Sequence, residues 1–195
     1  AQIGTFSNYY SASTAGTYNL GIIQNTGALW MFGANWYGQL CNGGTSATNT
    51  INEDGSSRVG ELLNWQYIEF GMTQWLGIKT DGTAWTAGGN IAGELAQGDT
   101  TNRSVPVQIG SATNWVTGSY CFDAWNTSGL AMINSSGELW TCGANTQGAL
   151  GHGNKTTLSA LTQVGSLTDW RSVEGSAANF SNFSFTKMGL WSNSL

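Results

Sequence analysis

The sequence predicts an all-β chain, a β-propeller-like array of short antiparallel blades, about 3.5 to the chain. Three observations predict it. First, Gly27–Gly43 (GALWMFGANWYGQLCNG) returns as Gly82–Gly98 (GTAWTAGGNIAGELAQG) and as Gly137–Gly153 (GELWTCGANTQGALGHG), with starts 55 residues apart each time. A fixed period of this size marks a repeat architecture. Second, an aliphatic-glycine pair stands ahead of an aromatic that follows Asn or Asp, and glycine to aromatic is five residues in all four instances. These are Ile3-Gly4 with Asn8-Tyr9, Val59-Gly60 with Asn64-Trp65, Ile109-Gly110 with Asn114-Trp115, and Val164-Gly165 with Asp169-Trp170. Third, no stretch keeps a helical period, and 28 glycines are too many for long helices.

Each unit reads strand, strand, tight turn, strand, Gly-Asn loop, then a connection rich in Ser, Thr and Asn. The second strand is carried by Leu20-Gly21-Ile22, Leu76-Gly77-Ile78, Leu130-Ala131-Met132 and Phe183-Ser184-Phe185. The turn follows as Asn25-Thr26-Gly27, Thr80-Asp81-Gly82, Ser135-Ser136-Gly137 and Lys187-Met188-Gly189, where glycine takes a positive φ without steric cost. The returning strand is Leu29-Trp30, Ala84-Trp85, Leu139-Trp140 and Leu190-Trp191. Trp30, Trp85 and Trp140 are expected to bury between blades. Gly33, Gly88 and Gly143 should permit close backbone approach, and Asn35, Asn90 and Asn145 should tie the following turn by hydrogen bonds to local backbone. The chain divides as one repeat domain, 1–195, with units of approximately 1–57, 58–107, 108–162 and an incomplete 163–195.

Composition excludes several functions. Net charge is −5 and only 9% of the 195 residues are charged, so six Lys and Arg offer no basic patch for nucleic acid. No apolar run is long enough for a transmembrane span. Cys41, Cys121 and Cys142 are too dispersed for a zinc site, and Cys142 stands where other copies have Phe32 and Ala87, so a buried inert thiol is expected. No metal and no cofactor are expected. His152, the only histidine, lies between two glycines and reads as a turn residue. The acids Asp81, Asp99, Glu53, Asp54 and Asp123 are scattered, so no catalytic set is expected and the chain reads as no enzyme.

The copies Leu29-Trp30, Gly33, Asn35, Gly38-Gln39-Leu40; Trp85, Gly88, Asn90, Gly93-Glu94-Leu95; and Leu139-Trp140, Gly143, Asn145, Gly148-Ala149-Leu150-Gly151 follow LWxxGxNxxGQLGxG. The chain resembles the regulator of chromosome condensation repeat family over nearly its whole length. Cys41 and Ala96 replace a glycine of the pattern, and Glu94 and Ala149 replace its glutamine. The resemblance implies a propeller, usually seven-bladed in that family, so three full units and a partial fourth make about half a ring. It also brings the family's guanine-nucleotide exchange activity to mind. That activity rests on elaborated loops, and units 55 residues apart leave no long insertion, so exchange is not expected.

Half a ring exposes blade edges, and edges are normally protected. The expectation is a non-enzymatic structural and binding module that assembles with itself, as a homo-oligomer or polymer. Gln2-Ile3 would meet the open Leu190-Trp191 of a neighbour. Low charge and abundant Gly, Ser, Thr and Asn suggest a virion (phage) or cell-surface protein, hence an extracellular or virion-surface location. Alternatives are a glycan-binding adhesin with a host glycan as ligand, a secreted propeller-type inhibitor, or binding to another structural protein. An aromatic that occurs in only one copy is a candidate contact. Trp36 and Tyr37 occupy loop positions held by Ile91-Ala92 and Thr146-Gln147 elsewhere. Trp75 and Trp125 are further candidates, with Tyr9, Tyr10 and Tyr120 weaker ones.

Overall fold

The computed structural model describes residues 8–15, 19–45, 58–122, 128–176 and 183–187. All regular structure in them is antiparallel sheet. The first sheet holds β1 (Tyr9–Ala15), β2 (Asn19–Gln24) and β3 (Leu29–Gly33), in that order. The second holds β4 (Trp65–Phe70), β5 (Gln74–Lys79), β6 (Ala84–Gly88) and β7 (Arg103–Gln108). The third repeats it with β8 (Trp115–Phe122), β9 (Ser128–Asn134), β10 (Leu139–Gly143) and β11 (Leu158–Gln163). The fourth pairs β12 (Trp170–Gly175) with β13 (Phe183–Lys187). Among the described residues, the fourth-strand place of the first sheet is marked by the bridge from Trp30 to Arg58.

The five-residue spacing from glycine to aromatic has a backbone cause. Ile109 N–H donates to Ala84 O at 2.8 Å, and Trp115 N–H donates to Gly82 O at 3.1 Å. The loop between them is therefore pinned at both ends to the preceding hairpin, and its length is fixed by that span. The same two bonds recur as Val59 to Leu29 with Trp65 to Gly27, and as Val164 to Leu139 with Trp170 to Gly137. Gly82 has φ of +76°, and a Cβ there would stand 2.1 Å from Thr113 O of the pinned loop. Only glycine satisfies both the turn and the strap.

The sheets stack face to face, with β1 against β4, β4 against β8, and β8 against β12. One apolar core, with Leu29, Met31, Trp65, Phe70 and Trp75, joins the first two sheets, and another, with Leu76, Ile78, Trp115, Leu130 and Met132, joins the second and third. A polar thread crosses the first strands. Ser13 Oγ and Ser119 Oγ each donate to the Glu69 carboxylate at 3.3 Å, and Gly175 N–H donates to Ser119 Oγ at 2.9 Å. All four sheets are tied through three side chains. Burial raises the Glu69 carboxyl, and the two serine hydroxyls partly offset this.

Candidate functional site

The blades have two ends. The hairpin turns and the pinned loops lie at one. The Gly-x-Asn loops, which follow the third strand of the first three sheets, lie at the other. Each loop is organised by its asparagine. Asn90 Oδ1 accepts Leu95 N–H at 2.9 Å while its Nδ2 donates to Asp99 O and Thr101 O at 3.0 and 3.1 Å. Asn145 does the same with Leu150, Asn154 and Thr156, and Asn35 with Leu40 and Gly44. One side chain thereby satisfies several backbone groups that the loop would otherwise bury unpaired.

The loops also lock neighbouring units. Gly38 faces Ser104 of β7 and Gly93 faces Ser159 of β11, so closely that a Cβ would meet those Cα atoms at 2.5 and 2.4 Å. Gly43 N–H and Gly98 N–H donate to Ser104 O and Ser159 O at 3.2 and 2.8 Å. Gly148 has no such neighbour within the described residues, where the nearest atom to a Cβ is 3.7 Å away.

On this frame Trp36 lies at a loop tip with 61% of its surface exposed, and Ile91, at the same place one unit on, is 53% exposed. Ile91 was not singled out in the sequence because an aliphatic at a loop tip carries no chemical signature. Tyr37 is half-buried and lies beside Gly89 of the next unit, so it fills a seam between units. Trp75 has no exposed surface. Strand β5 is buried at every position, being covered on both faces, and Trp75 is core rather than a contact residue. Tyr120 is likewise buried, its hydroxyl donating to Trp75 O at 3.4 Å. Tyr9 and Tyr10 are exposed at the hairpin end, where Tyr10 and Leu63 border a groove of about 260 Å³. Trp125, the edge residues Gln2, Ile3, Leu190 and Trp191, and the acids Glu53, Asp54 and Asp123 lie outside the described residues.

Of the repeat residues, Trp30 is buried, and Trp85 and Trp140 are half-buried. Cys142 is buried and its thiol pushed far upward, chiefly by burial, while burial pushes Cys41 up to about 12. His152 has a structural partner. Thr141 Oγ donates to Leu150 O at 2.8 Å, so it accepts from His152 Nε2 at 2.9 Å, as Thr86 accepts from Gln97 Nε2 at 3.3 Å. Asp99 is held low by Thr101 N–H and Arg103, and Asp81 by the Thr83 hydroxyl and N–H. These carboxylates brace turns. Among the described residues no group of three His, Cys, Asp or Glu could hold a metal ion, and no helix is long and apolar enough to cross a membrane.

No family model matches the chain. It is 28% identical over 151 residues to the X-linked retinitis pigmentosa GTPase regulator of Canis lupus familiaris, covering 77% of this chain and 15% of that protein. Human WBSCR16 superposes with a TM-score of 0.72 at 17% identity, over 89% of this chain and 45% of that one. Prp20p of Saccharomyces cerevisiae, described with its binding to Gsp1p and histones, superposes at 0.70 with 16% identity, over 95% and 45%. Yeast RCC1 (Prp20) bound to Kap60 gives 0.67 at 16% identity, over 91% and 42%. The chain thus spans less than half the length of each of these relatives.

These relatives overturn the expectation of a virion or cell-surface structural protein, and with it the extracellular location. They are a protein named as a GTPase regulator, human WBSCR16, and yeast Prp20, described with Gsp1p, histones and Kap60. The glycan-binding and secreted-inhibitor alternatives find no support among them either. Fold, spacing and repeat motif agree: the described residues fold as blades of a β-propeller, and the chain is similar to the regulator of chromosome condensation-type propellers.

Proposed function

We propose that this chain is part of a propeller that acts as a protein-binding regulator, without chemistry of its own, and that its partner is a GTPase. The loop end of the blades, led by Trp36, is the contact surface. The observation that carries this reading is Trp36 itself. A residue of that size, 61% exposed on a loop whose backbone is locked by Asn35, is an anchor prepared at low entropic cost. The dog relative, named as a GTPase regulator, supports the partner class.

The test is a panel of small GTPases, each in diphosphate, triphosphate-analogue and nucleotide-free form, measured by biolayer interferometry against the immobilised chain. One member is expected to bind, and Trp36→Ala to weaken it by about tenfold or more, as for an interface hot spot. Absence of binding across the panel, or binding that ignores Trp36→Ala, contradicts the reading.

A further inference from the structure

The hairpin ends of the second and third units pair the aromatic that opens the first strand with the repeat tryptophan of the third. In the second unit, Trp65 and Trp85 meet edge to face at 6.4 Å, and Lys79 lies over both, its Nζ 4.8 and 3.7 Å from the ring centroids. In the fourth, Lys187 Nζ lies 4.6 Å from the Trp170 centroid. The third unit repeats the aromatic pair closely, with Trp115 and Trp140 edge to face at 6.3 Å. Its residue at the lysine position is Asn134. That side chain folds back onto its own turn, accepting from Ser136 N–H and Glu138 N–H at 3.1 Å and donating to the Glu138 carboxylate at 2.6 Å. Among the described residues no lysine lies over this pair.

The surroundings are small as well. Where the second unit has Cys41 packed with its pair, Lys79 over it and Leu62 at the matching loop position, the third has Ala96, Asn134 and Ala112. The result is a groove of about 440 Å³, lined by Trp115, Trp140, Asn134, Asn114, Ala96 and Ala112 among others. Two indole rings set at right angles present electron-rich faces that favour a cation over a neutral group. The chain carries a net charge of −5, and the Glu138 carboxylate is held beside the groove through Asn134.

We propose that this groove is a cation cage that takes a lysine side chain, methylated or not, from a protein partner. The partner's ammonium occupies in trans the place that Lys79 fills in cis one unit earlier, and its methylene stem lies along Ala96, Ala112 and Leu161. The site is at the opposite end of the blades from Trp36. It stands independently of the GTPase reading.

The test is titration of the whole chain with Nα-acetyl-lysine amide, its Nε-trimethyl form, and the neutral Nα-acetyl-norleucine amide, following indole N–H resonances by NMR. The two cationic probes are expected to shift Trp115 and Trp140 saturably, in a concentration range on the order of millimolar, as one isolated contact allows. The norleucine probe is expected to bind at least about tenfold more weakly. Asn134→Lys should refill the cage and abolish the shifts. Lys79→Asn should open a second site and add shifts at Trp65 and Trp85. Circular dichroism establishes that each variant is folded. Should Asn134→Lys not fold, the Lys79→Asn variant decides alone, by gaining or failing to gain the second site. Equal binding of norleucine, shifts that survive Asn134→Lys, or no gain in Lys79→Asn overturns the proposal.

Discussion

Glu94 stands where the first unit has Gln39, and both side chains are almost wholly enclosed, at 0% and 1% exposure. Each uses one oxygen on the loop backbone. Gln39 Oε1 accepts Tyr37 N–H at 2.9 Å, and Glu94 Oε2 accepts Ala92 N–H at 2.6 Å. The remaining Glu94 oxygen is buried with no hydrogen-bond partner among the described residues. Burial raises this carboxyl from 4.5 to about 7, only partly offset by the N–H groups of its own loop. An acid with a raised folded pKa holds its proton more tightly folded than unfolded. Its contribution is therefore intact below pH 4.5 and lost as pH climbs towards 7. At 1.36 kcal/mol per pKa unit, ionising Glu94 costs up to about 3 kcal/mol, which for a chain of this size is about 6–12 °C in Tm. Glu94→Gln removes the charge and keeps the acceptor. Thermal unfolding of both proteins from pH 4.5 to 8 is the assay. The variant is expected to match the parent at pH 4.5 and to exceed it by several degrees at pH 8. Burial of Glu69 tilts both profiles alike, so the difference between them isolates Glu94. Parallel profiles would refute the reasoning.

Two further outcomes follow from the loops. Asn90→Ala leaves the buried Leu95 N–H and the Thr101 carbonyl without their partner, and is expected to cost about 3 kcal/mol in urea unfolding with the m-value unchanged. Gly93→Ala and Gly148→Ala alter equivalent positions with φ of +81° and +78°, so both carry the left-handed backbone penalty of about 1–2 kcal/mol. Only the first drives a Cβ to 2.4 Å from Ser159 Cα, and it is expected to lose clearly more stability in the same assay.

What repeats was legible in the sequence. The hairpin glycines, the asparagine clamps and the first three strands of a blade occur in register, whereas the outer strands β7 and β11 lie where the sequence reads only as a connection rich in Ser, Thr and Asn. The pinned loop was visible as a five-residue spacing, although its cause, a strap bonded to Gly82 and Ala84, was not. Exposure was less legible. Trp36 and Trp75 are both tryptophans without counterparts in other units. One stands on a loop tip and the other on a strand covered on both faces, and alternation along β5 cannot separate inside from outside when both sides are buried. The groove beside Trp140 was invisible for another reason. It arises from what the third unit lacks relative to the second, and the size differences at Cys41/Ala96, Leu62/Ala112 and Lys79/Asn134 lie far apart in the chain. Location was misjudged because composition reports loop chemistry, not compartment.

The central claim is that repeat-borne and strand-borne tryptophans form the seams between blades while Trp36 is presented on the loop end. Fast oxidative footprinting, read by mass spectrometry at each tryptophan, tests it most directly. Trp36 is expected to be modified rapidly, Trp65 and Trp115 slowly, and Trp75 only once the chain unfolds. Modification of Trp75 as fast as Trp36 in the folded chain would contradict both the blade packing and the contact surface built on it.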